Sequence, residues 1–181
     1  MKRKIVLLCL ISLFAYFSSS CASFSAADRL YGKARQFAKE EQSYFAFMAL
    51  SELIRDYPDY RFAREAKFAI AEYYFLEGNF NTALNRLVDF LHNYADNEFS
   101  IFAKSFLYKI ITDVKWIEEE KAAQIAEEIK AEFFSKPAFF VFSEFKETSI
   151  TSFLRNTYVL KEYVDKIDIF QNDKLFISVS P

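Results

Sequence analysis

The nine residues Leu76–Leu84, LEGNFNTAL, decide the fold. Gly78 and Asn79 interrupt an apolar run, and turn residues are scarce, with 2 Gly and 3 Pro in 181 residues. Glycine ends helices because it takes a positive φ at no steric cost. On either side, Ala71 and Tyr74, then Ala83 and Leu87, stand at helical spacing. The stretch therefore reads as the turn inside a helix pair. Strand-rich folds need many turn residues, so the whole chain is expected to be mainly α, with long helices and short polar connections. Hydrophobic residues at 52% and charged residues at 27% permit a sizeable core and argue against disorder. The 23 Phe are first of all core material.

Working outward, the same pattern occurs twice at an offset of 37 residues. Ala34 matches Ala71, Phe37 matches Tyr74, Ala46 matches Ala83 and Leu50 matches Leu87. Leu53 matches Phe90, Tyr57 matches Tyr94, Asp59 matches Asp96, Phe62 matches Phe99 and Ala66 matches Ala103. Agreement in size as well as polarity at one offset marks an internal repeat. The alanines let antiparallel helices approach, and the large residues fill the space beside them. RDYPDYRF (Arg55–Phe62) and HNYADNEF (His92–Phe99) close each unit, with Asp59 or Asp96 expected to cap the next helix. Asp28 is the expected N-cap of the first helix.

A third unit follows, with helices over Glu98–Val114 and Trp116–Ser135. Ile117, Ala122, Ile125, Ala126 and Ile129 keep helical spacing in the second of these. Tyr108 replaces the small residue of the earlier units, as expected where a stack is capped. After Pro137, PAFFVFSEF is open between helix and strand. TSITSFLRNTYVLKEYV (Thr148–Val164) shows a mild helical preference. Ile167–Phe170 and Lys174–Val179 alternate around QND and are expected to form a β-hairpin. An isolated hairpin is marginal, so it must pack on the helices or pair with a partner.

The N-terminus carries an export pattern. Lys2, Arg3 and Lys4 precede Ile5–Phe17, an apolar run too short to span a bilayer comfortably. Ser18, Ser19 and Ser20 then lead to Cys21. This resembles a bacterial lipobox, in which cleavage before the cysteine leaves an acylated thiol; Ser18 stands where leucine is usual. The alternative is an ordinary secretory signal with Cys21 incidental. Cys9 would leave with the signal, so no intramolecular disulfide remains for the mature chain. Residues 1–20 are thus the expected lipoprotein signal, and 21–27 the lipidated cysteine and tether. Residues 28–135 are the repeats, and 136–181 an extension with its hairpin at 167–179. The six residues Ala22–Ala27 reach roughly 20 Å at most. Three of the 23 Lys+Arg go with the signal, leaving 20 against 25 Asp+Glu. No basic patch appears in the pattern, which argues against nucleic acid.

Ala71, Tyr74, Gly78, Phe80, Ala83 and Leu87 resemble the tetratricopeptide repeat, as do Ala34, Phe37, Ala46, Leu50 and Pro58. Lys33, Gln42–Tyr44 and Ala95 depart from that pattern. Joined to the lipobox, the stretch from Ala27 to Asn97 resembles the tetratricopeptide-repeat lipoproteins of the outer-membrane β-barrel assembly machinery. The resemblance implies a solenoid of about three antiparallel helix pairs, anchored by Cys21 in the bacterial outer membrane and facing the periplasm. Ala22 after the cysteine leans the same way, since an Asp there holds many lipoproteins at the inner membrane. The implied role is a protein-interaction scaffold whose partners are envelope proteins, among them β-barrel assembly components. A cell-wall-associated or secretion-pilot lipoprotein that modulates a peptidoglycan enzyme is the alternative. The family's groove positions fall on Tyr31, Arg35, Phe68, Glu72, Phe75, Phe102, Ser105 and Lys109. They suit an extended peptide or a partner helix. Phe68, Phe75 and Phe102 read equally well as core.

The pattern holds little that points to catalysis, a cofactor or a metal. His92 is the single histidine, near a helix end where a cation is favoured. Gly32 and Gly78 build no phosphate loop, no serine has a histidine base placed by a motif, and EEEK and EEIKAE read as a solvated face.

Overall fold

The computed structural model of the chain describes residues 25–114, 119–135 and 145–181. The expected signal, Cys21 and residues 137–144 of the apolar run lie outside the described residues. Among the described residues, six helices precede four strands: α1 (Ala26–Lys39), α2 (Ser43–Asp56), α3 (Ala63–Leu76), α4 (Phe80–Asn93), α5 (Ser100–Asp113), α6 (Glu119–Phe133), β1 (Lys146–Thr151), β2 (Thr157–Glu162), β3 (Ile167–Gln171) and β4 (Lys174–Val179). Each helix packs on the next in sequence.

The 37-residue offset holds to the residue. α1, α3 and α5 start at 26, 63 and 100, and α2 and α4 at 43 and 80. It extends to single hydrogen bonds. The Gln42 amide donates to the Phe37 carbonyl and the Asn79 amide to the Tyr74 carbonyl, both at 2.9 Å. The Tyr57 and Tyr94 amides donate to Leu53 and Phe90 carbonyls, both at 2.8 Å. Gly78 has φ +73, as a helix-ending glycine should, and Glu41 takes the same left-handed conformation at φ +59 in the first unit. The matched alanines and leucines are the seam: Ala34, Ala46, Leu50, Ala66, Ala71, Ala83, Leu87 and Ala103 are all at 0% exposure. With no side chain beyond Cβ, the alanines set how closely the helices approach.

Three helix starts differ from expectation. Ser25, not Asp28, caps α1. The Asp28 amide donates to Ser25 Oγ at 3.1 Å and the Asp28 carboxylate accepts from the Ser25 amide at 3.2 Å, a capping box. Ala26 and Ala27 are therefore helix rather than tether. Asp28 also accepts from Tyr60 Oη at 2.7 Å and Arg61 at 2.9 Å. The Tyr60 bond, then that from Ser25, holds its carboxyl below the usual range. Asp59 and Asp96 do not cap α3 and α5, whose N-caps are Phe62 and Phe99 without a side-chain bond.

The larger correction is C-terminal. Thr148–Val164 is not helical but supplies most of β1 and all of β2, and the expected hairpin is half of a sheet ordered β1-β2-β3-β4, antiparallel throughout. Thr148, Ile150, Thr151, Thr157, Tyr158 and Val159 are β-branched or aromatic, residues that fit a half-buried pleated surface. The hairpin turn at Asn172 and Asp173 has φ +48 and +64, the left-handed pair that matches strand twist. One face of the sheet is apolar: Tyr158, Leu160, Ile167, Ile169, Ile177 and Val179 are buried. The register shifts between Ile169, opposite Ile177, and Phe170, opposite Leu175. Phe176 is left over as a bulge, so Phe176 and Ile177 are both buried although adjacent. Helices and sheet share a core through Phe102, Phe106, Tyr158, Ile169 and Phe176.

Candidate interaction surfaces

The chain's own sheet and its β1–β2 turn meet five of the expected groove positions, Tyr31, Glu72, Phe75, Phe102 and Lys109. Phe176 meets Phe75 at 5.7 Å and Phe106 at 5.0 Å, and Lys109 Nζ lies 5.3 Å from its ring. Tyr158 packs on Phe102 at 5.9 Å and Phe106 at 5.5 Å. Phe153, in the β1–β2 turn, stands edge-on to Tyr31 at 5.4 Å. Phe68 is core, against Phe90, Phe99 and Phe106. Ser105 is buried and donates to the Phe102 carbonyl at 2.6 Å. Lys109 also pairs with Asp113 at 2.8 Å. Arg35 and Tyr31 line an open cleft.

Glu72 fastens the sheet to α3. It is at 0% exposure. Its Oε1 accepts from Tyr158 Oη at 2.6 Å, Asn156 Nδ2 at 2.8 Å and Ser152 Oγ at 2.9 Å. Oε2 is buried with no hydrogen-bond partner among the described residues. Burial pushes the carboxyl up to about 7, against the opposing pull of the bonds from Tyr158, Asn156 and Ser152. Tyr158 is pushed up as well, by its own burial and then by Glu72, so it stays a donor. Gln171 supports it with a 3.0 Å bond to Oη. Asn172 carries the network to the hairpin turn, donating to Asn156 Oδ1 at 2.8 Å. Below about pH 7 Glu72 is protonated and joins the two layers without burying a net charge.

The open apolar surface lies elsewhere. A groove of about 890 Å³ runs between α4, α5 and α6, walled by Leu84, Val88, Leu91, Leu107, Ile111 and Ile125. Val88 is 51% exposed. One repeat earlier, Phe47 stacks on Tyr73 at 4.4 Å and meets Tyr74 at 5.2 Å. At the 37-residue offset these three aromatics become Leu84, Ile110 and Ile111. Smaller aliphatic side chains thus stand where the earlier unit has three packed rings. Lys104 and Glu132 close one side with a 2.6 Å pair. His92, near the C-terminus of α4, also lines it.

The second opening, about 660 Å³, lies between α1, the start of α3 and the β1–β2 turn. Tyr31, Phe62 and Phe153 give it an aromatic wall, and Arg35, Lys39 and Arg155 reach it. The Tyr31 hydroxyl donates to Glu65. Among the described residues, no group of three His, Cys, Asp or Glu side chains is placed to hold a metal ion, and no helix is long and apolar enough to cross a membrane.

Glu72 is among the positions the sequence pattern singles out, but its partners Ser152, Asn156 and Tyr158 sit in the segment with a mild helical preference. The signal available there was the density of β-branched and aromatic residues around Arg155-Asn156. The groove's aliphatic wall was visible as helical periodicity, but periodicity does not say which apolar residues lack a neighbour. Comparison with protein-family models and with curated proteins finds no match to this chain.

Proposed function

We propose that the chain is a non-catalytic interaction scaffold of the bacterial envelope, held to the outer membrane through Cys21 and facing the periplasm. Its helix pairs form a tetratricopeptide-like solenoid whose inner face is filled by its own C-terminal sheet. Partners dock instead on the groove between α4, α5 and α6, and the observation that carries this reading is the apolar opening around Val88. An amphipathic helix fits it. Every described helix already packs on its sequence neighbour, and a bound helix extends that stacking with apolar residues at i, i+3 and i+4.

A photocrosslinker at Val88 in intact cells is expected to capture a defined envelope protein. One at Phe75, beneath the sheet, is expected to capture none. Leu91→Glu should abolish the Val88 product while far-ultraviolet circular dichroism still shows the folded helices, at a lowered melting temperature because Leu91 packs partly on the core. Equal capture from both positions, or a product indifferent to Leu91→Glu, would overturn the reading. In the same cells Cys21→Ser should block acyl labelling and release the protein from membranes; unchanged retention removes the anchor. Recovery of a β-barrel assembly component favours the assembly role, and recovery of a peptidoglycan enzyme the cell-wall alternative.

A further inference from the structure

The cleft between α1 and the β1–β2 turn is left open when the sheet covers the rest of the inner face. We propose that it is a binding site for an oxyanion, carboxylate or phosphate, carried on an apolar group. The cations Arg35, Lys39 and Arg155 supply the charge, and the aromatic wall supplies the apolar surface.

Charge comes first. Arg35 and Lys39 lie one turn apart on α1, a like-charged spacing that disfavours a helix. Neither they nor Arg155 form an ion pair among the described residues. Glu65 is the carboxylate among the described lining residues, and it already accepts from the Tyr31 hydroxyl. Three cations against one carboxylate is an unbalanced set in a chain whose formal net charge is −2. The helix dipole accounts for Lys39 in the last turn of α1. It does not account for Arg35, a turn earlier, because the effect fades within the terminal turn.

Backbone strain points to the same place. Arg155 has φ +67, in the left-handed region that glycine or asparagine takes most easily. Asn156, next in the chain, is not the residue in that conformation. The turn holds Arg155 there through the Arg155 amide on the Ser152 carbonyl at 3.0 Å and the Ser152 amide on the Asn156 carbonyl at 2.8 Å. Its guanidinium is carried across to the end of α1, where Nη1 stands 3.4 Å from the Lys39 carbonyl. That contact is long for a hydrogen bond and leaves the other donors of the fork available. A planar fork in a cleft that a second arginine, Arg35, also lines matches the geometry of a carboxylate or a phosphate. Phe62, 38% exposed and stacked at 4.7 Å on the buried Tyr31, then offers an apolar face to the group the anion is attached to.

The test uses the purified full chain in zwitterionic detergent, titrated by calorimetry with phenylacetate, phenyl phosphate and benzyl alcohol. Saturable binding of either anion, with the alcohol at least about tenfold weaker, is expected, and the tighter anion identifies the oxyanion. Arg155→Gly relieves the left-handed backbone while deleting the cation. It should raise the melting temperature yet weaken the anion at least about tenfold. Arg35→Gln should weaken it similarly with an unchanged melt. Arg155→Gly binding as tightly as wild type, benzyl alcohol binding as well as the anions, or no saturable binding at all would each overturn the proposal. No partner protein enters the titration, so these outcomes leave the docking groove at Val88 untouched.

Discussion

Glu72 sets the pH response of the fold. Folded, its carboxyl keeps a proton up to about pH 7 because burial opposes the charge. Unfolded, it releases that proton near the ordinary glutamate value of about 4.3. Between those values the native state binds more protons than the unfolded one, so stability falls as pH rises through the window and levels off above it. The expected loss between pH 4.5 and 8 is about 3 kcal/mol. Glu72→Gln keeps an acceptor for Tyr158, Asn156 and Ser152 and removes the ionisation. It should flatten this profile, match wild type near pH 5 and exceed it by about 2 kcal/mol at pH 8. Chemical denaturation at four pH values checks this; parallel profiles for the two proteins would refute it. In the sequence pattern Glu72 is a charge on a partner-binding groove. Its burial was not legible, because its three donors lie 80 to 86 residues further along the chain.

At the scale of elements, the repeat was legible because the helix-forming information is local. A 37-residue offset in apolar residues became the same offset in helix starts, seam alanines and turn hydrogen bonds. Glu41 is the instructive exception. It occupies the position of Gly78 with the same left-handed backbone, and the sequence concealed it because glutamate gives no turn signal. A side chain in that conformation costs about 1 kcal/mol relative to glycine. Glu41→Gly should therefore stabilise the protein by about 0.5 kcal/mol, after the extra flexibility glycine gives the unfolded chain. Gly78→Ala should destabilise it by about 1 kcal/mol. Urea melts of the two variants measure both, and effects of the same sign would show that the two turns are not equivalent. The strands were half legible. The hairpin announced itself by alternation around Asn172-Asp173, whereas β1 and β2 have a connection with no glycine or proline to punctuate it.

For the whole molecule, the sheet completes the helical layer's core rather than decorating it. Phe102, Phe106, Leu160, Ile169 and Phe176 belong to one buried cluster. The sheet and α3–α6 are thus expected to unfold together, and α1 and α2, whose own buried cluster is joined to them through α3 and Phe153, to follow in the same transition, with far-ultraviolet and aromatic circular dichroism giving the same midpoint; two separated midpoints would contradict this coupling. A chain ending at Ser135 loses every strand and uncovers Phe75, Phe102 and Phe106. It should bind a hydrophobic dye strongly and aggregate. A soluble, dye-silent, helical fragment would show that the inner face does not need the sheet.

The helix pairs, their 37-residue period, the seam of alanines and the last hairpin are all written locally in the chain. All of these rest on periodicity and turn chemistry within a few residues of each other. Which helix surfaces the strands cover, and which stay open, depends on long-range packing. A row of aromatics on helices is the same pattern whether it awaits a partner or the chain's own strands. The bulge that turns Phe176 inward, and the donors that converge on Glu72, exist only once residues far apart in sequence are brought together. The open surfaces at Val88 and Arg155 follow from that filling, because they are where the chain's own side chains stop.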